Sequence, residues 1–316
     1  MATKPALFST TFSEASSLGA GVKDLRIAVG EADGSMPVLI EIRIPFCVGR
    51  CACCREQVIP VNQETVSRYT SAILLEAEVV AQELSGSTCA AVRLCGGNPL
   101  YMGPDGLDDL MSKLKGILPC SKDTQWMLSA NPNELSAAAL TVIRNAGIHA
   151  IDLNVMTCRM DEFALLHRPY YFAAFDGAVS LLTMFRQQGV CVRLLAGIPG
   201  QTEATLLESV RHALLTEPDS VEFLPFDAQM EPLPAQVCSF LIKQGFEAVT
   251  PTRYMRCGVS RRDWVLEAGG CFEQYGIGAG AVTLLNGMAY RNTTDVSLYM
   301  KHATEPEVIA RPWMQA

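Results

Sequence analysis

The chain has 316 residues, of which 49% are hydrophobic and 18% charged, and its formal net charge is −8. That length suits two average domains or one α/β barrel, and the composition supports a large buried core and excludes general disorder. An apolar run of the roughly 18 residues that a membrane span needs is missing, and so is any Lys/Arg-rich stretch, which argues against a membrane span and a nucleic-acid partner. The segment from Met1 to Ser13 has neither a basic start nor an apolar stretch behind it, which argues against secretion. Twelve cysteines in such a chain point to a reducing compartment, and the expected location is cytoplasmic.

After an N-terminal extension over 1–35, a first strand is expected at Val38–Ile44. Helical periodicity runs from about Asn62 to Leu84, with Val66, Tyr69, Ile73, Leu74, Ala77 and Val80 on one face. Ala91–Cys95 reads as a second strand, and Pro104 opens a helix with Leu107, Leu110, Met111 and Leu114 aligned. Gln125–Ser129 is a third strand, and the helix behind it stops at Gly147, a residue type suited to the helix exit. His149–Val155 is a fourth strand, with a helix near Phe172–Gln188. Val190–Ala196 is a fifth, with a helix from Thr202, and Val221–Phe226 a sixth, with a helix from about Pro234 to Gly245. Six strands alternating with six helices predict parallel strands joined by right-handed crossovers. Periodicity by itself does not separate a doubly wound sheet from a barrel. Beyond Thr250 the pattern is less ordered, and 251–316 is expected to be an irregular extension packing on the 36–250 barrel.

The first predicted strand ends in Ile44-Pro45-Phe46-Cys47-Val48-Gly49-Arg50-Cys51-Ala52-Cys53-Cys54. Cys47, Cys51 and Cys54 stand as C-x3-C-x2-C. Three thiolates leave one iron of a cubane 4Fe–4S cluster open to a non-protein ligand, which suits chemistry on a bound molecule. A structural zinc site usually gathers four Cys/His ligands in two separated pairs, and here the nearest histidine, His149, lies in a distant strand. Iron–sulfur is therefore the favoured reading, with zinc and incidental thiols as the alternatives. Cys53 adjoins Cys54, cannot easily reach the same cluster, and reads as a pocket-lining thiol. Cys89, Cys120, Cys191 and Cys238 read as packed core thiols.

Loops rich in glycine and asparagine follow the predicted strands: Gly96-Gly97-Asn98-Pro99, Ser129-Ala130-Asn131-Pro132 and Gly197-Ile198-Pro199-Gly200. They gather with the cysteine loop at the carboxyl edge of the sheet, where α/β folds place their sites. Singly each is a weak signal, since glycines after strands are often turns.

These segments together resemble the oxygen-independent coproporphyrinogen III oxidase-like family of radical S-adenosylmethionine (SAM) enzymes, including its haem-chaperone branch. The resemblance also includes Arg68-Tyr69, Ala72 and Glu76, Leu166-His167-Arg168, Gln201-Thr202, the run Tyr275 to Ala281 and Tyr290-Arg291-Asn292-Thr293. It covers about Val38 to Tyr299. It implies a partial parallel (βα)6 barrel, a 4Fe–4S cluster on Cys47, Cys51 and Cys54, and SAM. In such enzymes reductive cleavage of SAM yields a 5′-deoxyadenosyl radical that abstracts hydrogen from substrate, and the protein orients the reactants and excludes solvent. The implied SAM contacts are Phe46, Cys53, Gly96, Gly97, Asn98, Ser129, Met156, Arg168, Arg193 and Ile198.

Several of these positions depart from the family. Glu41 stands where a tyrosine is usual, and Cys53 occupies an aromatic position. Ser129 replaces a glutamate, Met156 a glutamine and Arg193 an aspartate, whereas Arg168 is kept. Arg193 either pairs with a carboxylate of SAM or substrate, or answers Asp152 or Glu41 in a structural ion pair. The chain runs only a short way past Tyr299, so the family's usual C-terminal domain is expected to be lacking.

The reading is an enzyme acting on an unidentified small molecule of tetrapyrrole-related chemistry, with a flavodoxin- or ferredoxin-like electron donor. The alternatives are a haem- or tetrapyrrole-binding chaperone-like protein that keeps the barrel without turnover, and a metal-bearing structural subunit. Tyr170, Tyr171, Asp227 and Glu273 are the expected substrate-side residues. His167 is the first choice of haem ligand among His149, His167, His212 and His302.

Overall fold

The computed structural model describes residues 38–84, 87, 89–168, 174–185, 189–227, 231–259, 273–285 and 287–313. The expected extension over 1–35, together with Tyr170 and Tyr171, lies outside them. The strands are β1 (Val38–Ile44), β2 (Cys89–Gly96), β3 (Cys120–Ala130), β4 (Ala150–Met156), β5 (Val190–Ala196), β6 (Ser220–Pro225), β7 (Phe246–Thr250), β8 (Arg253–Arg256), β9 (Glu273–Ile277), β10 (Val282–Leu285), β11 (Met288–Asn292) and β12 (Ala310–Pro312). The helices are α1 (Gln63–Glu83), α2 (Gly103–Ile117), α3 (Ala137–Asn145), α4 (Met160–Leu165), α5 (Ala174–Phe185), α6 (Glu203–Ala213), α7 (Ala235–Lys243), α8 (Val296–His302) and α9 (Pro306–Ile309).

The chain forms two compact units, one built on Glu56–Met127 with the segments before Gly49 and after Gly269, the other on Gly49–Arg55 and Leu128–Gly269. In the first unit β1 is central. It pairs in parallel with β2, from Leu39 beside Ala91 to Ile44 beside Gly96, and with β9, from Val38 beside Glu273 to Ile42 beside Ile277. The β10, β11 and β12 strands continue antiparallel from β9. All β1 residues but Arg43 are buried, because a central parallel strand is covered on both faces.

In the second unit β4, β5 and β6 run parallel, and β8 and β7 close the row antiparallel. The β3 strand begins in the first unit and ends in the second. The strand order runs out at β12 on one side and at β7 on the other, so the mostly parallel sheet is open, as a partial barrel requires.

Local signals explain the helix starts. The Asn62 side chain accepts from the Thr65 amide at 3.1 Å and caps α1, and Thr202 caps α6 in a reciprocal pair with Thr205. The strands expected from the sequence all form: β1 and β5 keep their expected bounds, β4 and β6 are displaced by one residue, β2 is three residues longer and β3 six. The short α4 had no counterpart in the periodicity, because six residues cannot show an amphipathic repeat. After Thr250 the structure adds ordered strands. At three to five residues they are too short to read as a pattern, and β9 finds its partner β1 far back in the chain.

Candidate functional site

In the first unit the segment after β1 is held from two sides. The Cys47 amide donates to the Ile59 carbonyl at 3.0 Å, and the Ile59 amide to the Pro45 carbonyl at 2.8 Å. On the other side the Gly97 amide donates to Ile44 at 2.7 Å and the Asn98 amide to Phe46 at 2.8 Å. Gly97 is required here, since a Cβ at that position would lie 2.4 Å from the Phe46 carbonyl oxygen. Gly96 turns the chain with φ +101°, a conformation that favours glycine. The Asn98 side chain is buried and accepts from the Leu100 amide at 3.1 Å, capping a short 3₁₀ turn. Phe46 is fully buried and meets Tyr69 edge-on at 5.7 Å between ring centroids.

Glu41, near the middle of β1, pairs with Arg43 at 2.9 Å, and Arg43 also bonds Glu56. Burial pushes the Glu41 carboxyl up, but Arg43 and Arg93 outweigh it and hold it below the usual range. Deeper in this unit Glu76, on the buried face of α1, accepts from the Gly278 amide (2.7 Å), Asn292 Nδ2 (2.7 Å) and the Tyr299 hydroxyl (2.6 Å). Burial raises its carboxyl to about 7 despite these donors. Tyr69 works alongside, donating to the Arg43 carbonyl at 2.9 Å and accepting from the Ala279 amide at 2.8 Å. The glycine-rich turn after β9 is thus fixed by two α1 side chains.

In the second unit Cys51 to Cys54 form a turn. The Cys54 amide donates to the Cys51 carbonyl at 3.0 Å, and Arg50 reaches the Cys54 carbonyl at 3.3 Å. The Ala52 amide is tied to the Leu166 carbonyl at 2.8 Å. Cys53 packs with Met156, Leu224 and Phe226 against the buried cluster Leu166, Leu195 and Ile198. Burial pushes the Cys53 thiol up, so it stays a neutral, apolar-facing group. Cys47, Cys51 and Cys54 are half-buried and form no disulfide. Among the described residues no three His, Cys, Asp or Glu side chains are gathered at metal-binding distance. The donor chemistry of the loop fits an iron–sulfur cluster all the same, with three accessible thiols of the right softness and the fourth cysteine engaged elsewhere.

Arg193 has all three donor nitrogens engaged. Its Nη2 meets Asp152 at 2.9 Å, its Nε meets Glu222 at 2.7 Å, and its Nη1 donates to the Ser129 hydroxyl at 3.3 Å. Of the two acids expected from the sequence, Asp152 is therefore the partner and Glu41 is not. Arg253 joins from β8, 3.7 Å from Glu222 and 3.3 Å from the Cys191 sulfur. Arg168 Nη2 donates to Asn131 Oδ1 at 3.2 Å and to the Asn154 carbonyl at 2.9 Å. Met156 closes β4 in the left-handed region, at φ 72°, where the β4–β5 register shifts.

Of the remaining candidates, Asp227 is exposed and Glu273 is buried in β9. His149 and His167 are exposed, His212 lies 3.4 Å from Asp176 and His302 3.1 Å from Glu305. Sequence reasoning missed the roles of Glu222 and Tyr299. It noted Glu76 without a role, although an acid on an otherwise apolar helix face is the kind of signal that marks a buried bonding site.

No family model matches the chain. In sequence it is similar to the haem chaperone HemW of Bacillus subtilis, 23% identical over 289 residues that span 82% of this chain and 74% of that protein. It is also similar to the oxygen-independent coproporphyrinogen III oxidase of Pseudomonas aeruginosa, 23% identical over 58% of this chain, a match that spans 41% of the oxidase. In structure it superposes on the coproporphyrinogen III oxidase HemN of Escherichia coli with a TM-score of 0.75 and 20% identity, covering 92% of this chain and 74% of that one. The chain is thus a relative of the HemW haem chaperones and the oxygen-independent coproporphyrinogen III oxidases, and it has the fold of HemN, a radical SAM enzyme.

Proposed function

We propose that this chain is a cytoplasmic radical SAM enzyme that holds a 4Fe–4S cluster on Cys47, Cys51 and Cys54 and acts on a tetrapyrrole-related small molecule. The observation that carries the reading is the coincidence of a HemN-like fold with three half-buried cysteines, none in a disulfide, in the loop that follows β1. The bound and reduced cluster supplies the reductive cleavage of SAM and hence hydrogen abstraction from the substrate.

The residues we assign to SAM are Phe46, Cys53, Gly96, Gly97, Asn98, Ser129, Met156, Arg168, Arg193 and Ile198. Gly96 and Gly97 let backbone come close to a ligand. Cys53, Met156 and Ile198 offer an apolar surface that excludes water. Arg168, oriented by Asn131 and Asn154, supplies positive charge for a carboxylate. Arg193 fixes the polar wall through Asp152 and Glu222. A flavodoxin- or ferredoxin-like protein would supply the electron.

The test is anaerobic reconstitution followed by reduction in the presence of SAM. Release of 5′-deoxyadenosine is expected, and an intact cluster with no release counts against catalysis. A second reading, haem carriage without turnover, is favoured by the wider span of the HemW match, 82% of the chain against 58% for the oxidase. A stoichiometric Soret shift on haem titration supports that reading, and no shift removes it.

A further inference from the structure

Two of the cysteines expected to be packed core thiols are next to each other. Cys89 opens β2 and Cys120 opens β3, neighbouring strands joined through the α2 crossover. The Cys89 amide donates to the Pro119 carbonyl at 3.2 Å. That bond sets the residue just before Cys120 against the Cys89 backbone. Neighbouring strands lie about 4.8 Å apart, inside the roughly 4.4–6.8 Å between Cα atoms that a disulfide spans. Each thiol shifts the other's titration, Cys89 upward and Cys120 downward.

Their surroundings differ in a useful way. Cys89 is 1% exposed, and its sulfur also donates to the Ala91 carbonyl at 3.3 Å. Cys120 is partly exposed. The neighbouring Cys89 lowers the Cys120 thiol, helped by Thr124 and Lys115 and opposed by burial. Thr124 is itself anchored, donating to the Cys89 carbonyl at 2.7 Å. One thiol is therefore partly exposed and the other is shielded on the adjoining strand, the placement of an attacking and a resolving cysteine. The pair sits at the amino end of β2, whereas Gly96 and the cysteine loop lie at its carboxyl end.

We propose that Cys89 and Cys120 form an oxidant-responsive dithiol that closes reversibly to a disulfide, separate from the cluster cysteines. With a hydroperoxide as oxidant, the Cys120 thiolate attacks the distal oxygen. The O–O bond breaks, water or an alcohol leaves after protonation, and Cys120 becomes a sulfenic acid. The Cys89 sulfur then displaces the hydroxyl as a second water, its proton being taken up by that leaving group. With hydrogen peroxide, two thiols and one peroxide give one disulfide and two waters. A dithiol reductant reverses the step by exchange, taking up the disulfide's two electrons.

The experiment is peptide mapping of the full-length, anaerobically purified protein after graded hydrogen peroxide, with thiols blocked by alkylation under denaturing conditions. A Cys89–Cys120 linked peptide, two hydrogens lighter than the sum of its parts, is expected at a peroxide dose at least about tenfold below that which modifies the exposed Cys257. Dithiothreitol should restore both free thiols. Cys89→Ser should leave Cys120 as a sulfenic acid trapped by dimedone, and Cys120→Ser should leave Cys89 fully alkylatable. The proposal is overturned if both thiols alkylate completely once Cys257 is oxidised, or if Cys120 links to a different cysteine. The wild-type map decides this even if a serine variant fails to fold.

Discussion

The Tyr299 hydroxyl donates to the Glu76 carboxylate at 2.6 Å, which joins α8 to the buried face of α1 across most of the chain's length. The same carboxylate oxygen accepts from the Gly278 amide, so one acid fixes both the glycine turn and α8 to α1. Tyr299→Phe removes a donor from a buried charged group and should cost about 1.5–3 kcal/mol. Urea denaturation of the two proteins at one pH measures it, and a difference below about 0.5 kcal/mol would mean that the bond adds little.

The pH dependence of this site has a definite sign. Glu76 titrates near 7 when folded against a reference value of 4.5. Its folded pKa is raised, so its contribution to stability is fully present below pH 4.5 and is lost as pH rises through 7. The stability advantage of the wild type over Glu76→Gln should therefore shrink between these limits, by a few kcal/mol at most. Denaturation midpoints for both proteins across that range check it, and a constant or widening gap would contradict it.

The buried ion pairs around Arg193 predict a large penalty on truncation. Arg193→Ala leaves Asp152, which is fully buried, and Glu222 without their main counter-charge. A loss of about 3–5 kcal/mol is expected. Arg193→Lys should recover only part of it, because an ammonium cannot serve three separate acceptors in the fork geometry of a guanidinium. Asp152→Asn in the Arg193→Ala background should restore some stability, and thermal denaturation of the set tests the order.

At Gly97 the backbone contact leaves no room for a side chain. Gly97→Ala would force a Cβ against the Phe46 carbonyl and shift the segment leading into Cys47. Destabilisation of about 1–3 kcal/mol is expected, with a lower iron content after anaerobic reconstitution than wild type. Gly103→Ala is the control: its Cβ meets nothing within 4 Å, though φ +76° adds local strain, so iron content should stay unchanged.

The cysteines of the loop should separate by role. Serine at Cys47, Cys51 or Cys54 should each abolish the iron–sulfur absorption of reconstituted protein. Cys53→Ala should keep it, since that thiol packs against Leu166, Leu195 and Ile198. Iron and sulfide analysis of the four variants checks this, and iron lost equally in all four would make Cys53 a ligand.

Much of this protein was legible in its residues. The alternation of strands and helices up to Lys243 follows from local periodicity and capping groups such as Asn62 and Thr202, which act within a few residues and so show in any linear reading. The cysteine spacing and the glycine and asparagine loops are equally local, and they carried the family resemblance that the HemN-like fold supports. What the tertiary structure decided was pairing at long range. Arg193 could have answered Asp152 or Glu41, and strand register chose Asp152, with Glu222 unforeseen, because adjacent parallel strands align side chains that sequence distance hides. Glu76 gained its partners, and Cys89 its neighbour Cys120, in the same way. A local pattern states which face of an element is buried; only the packed chain, in which every buried donor and charge must find a partner, determines what it is buried against.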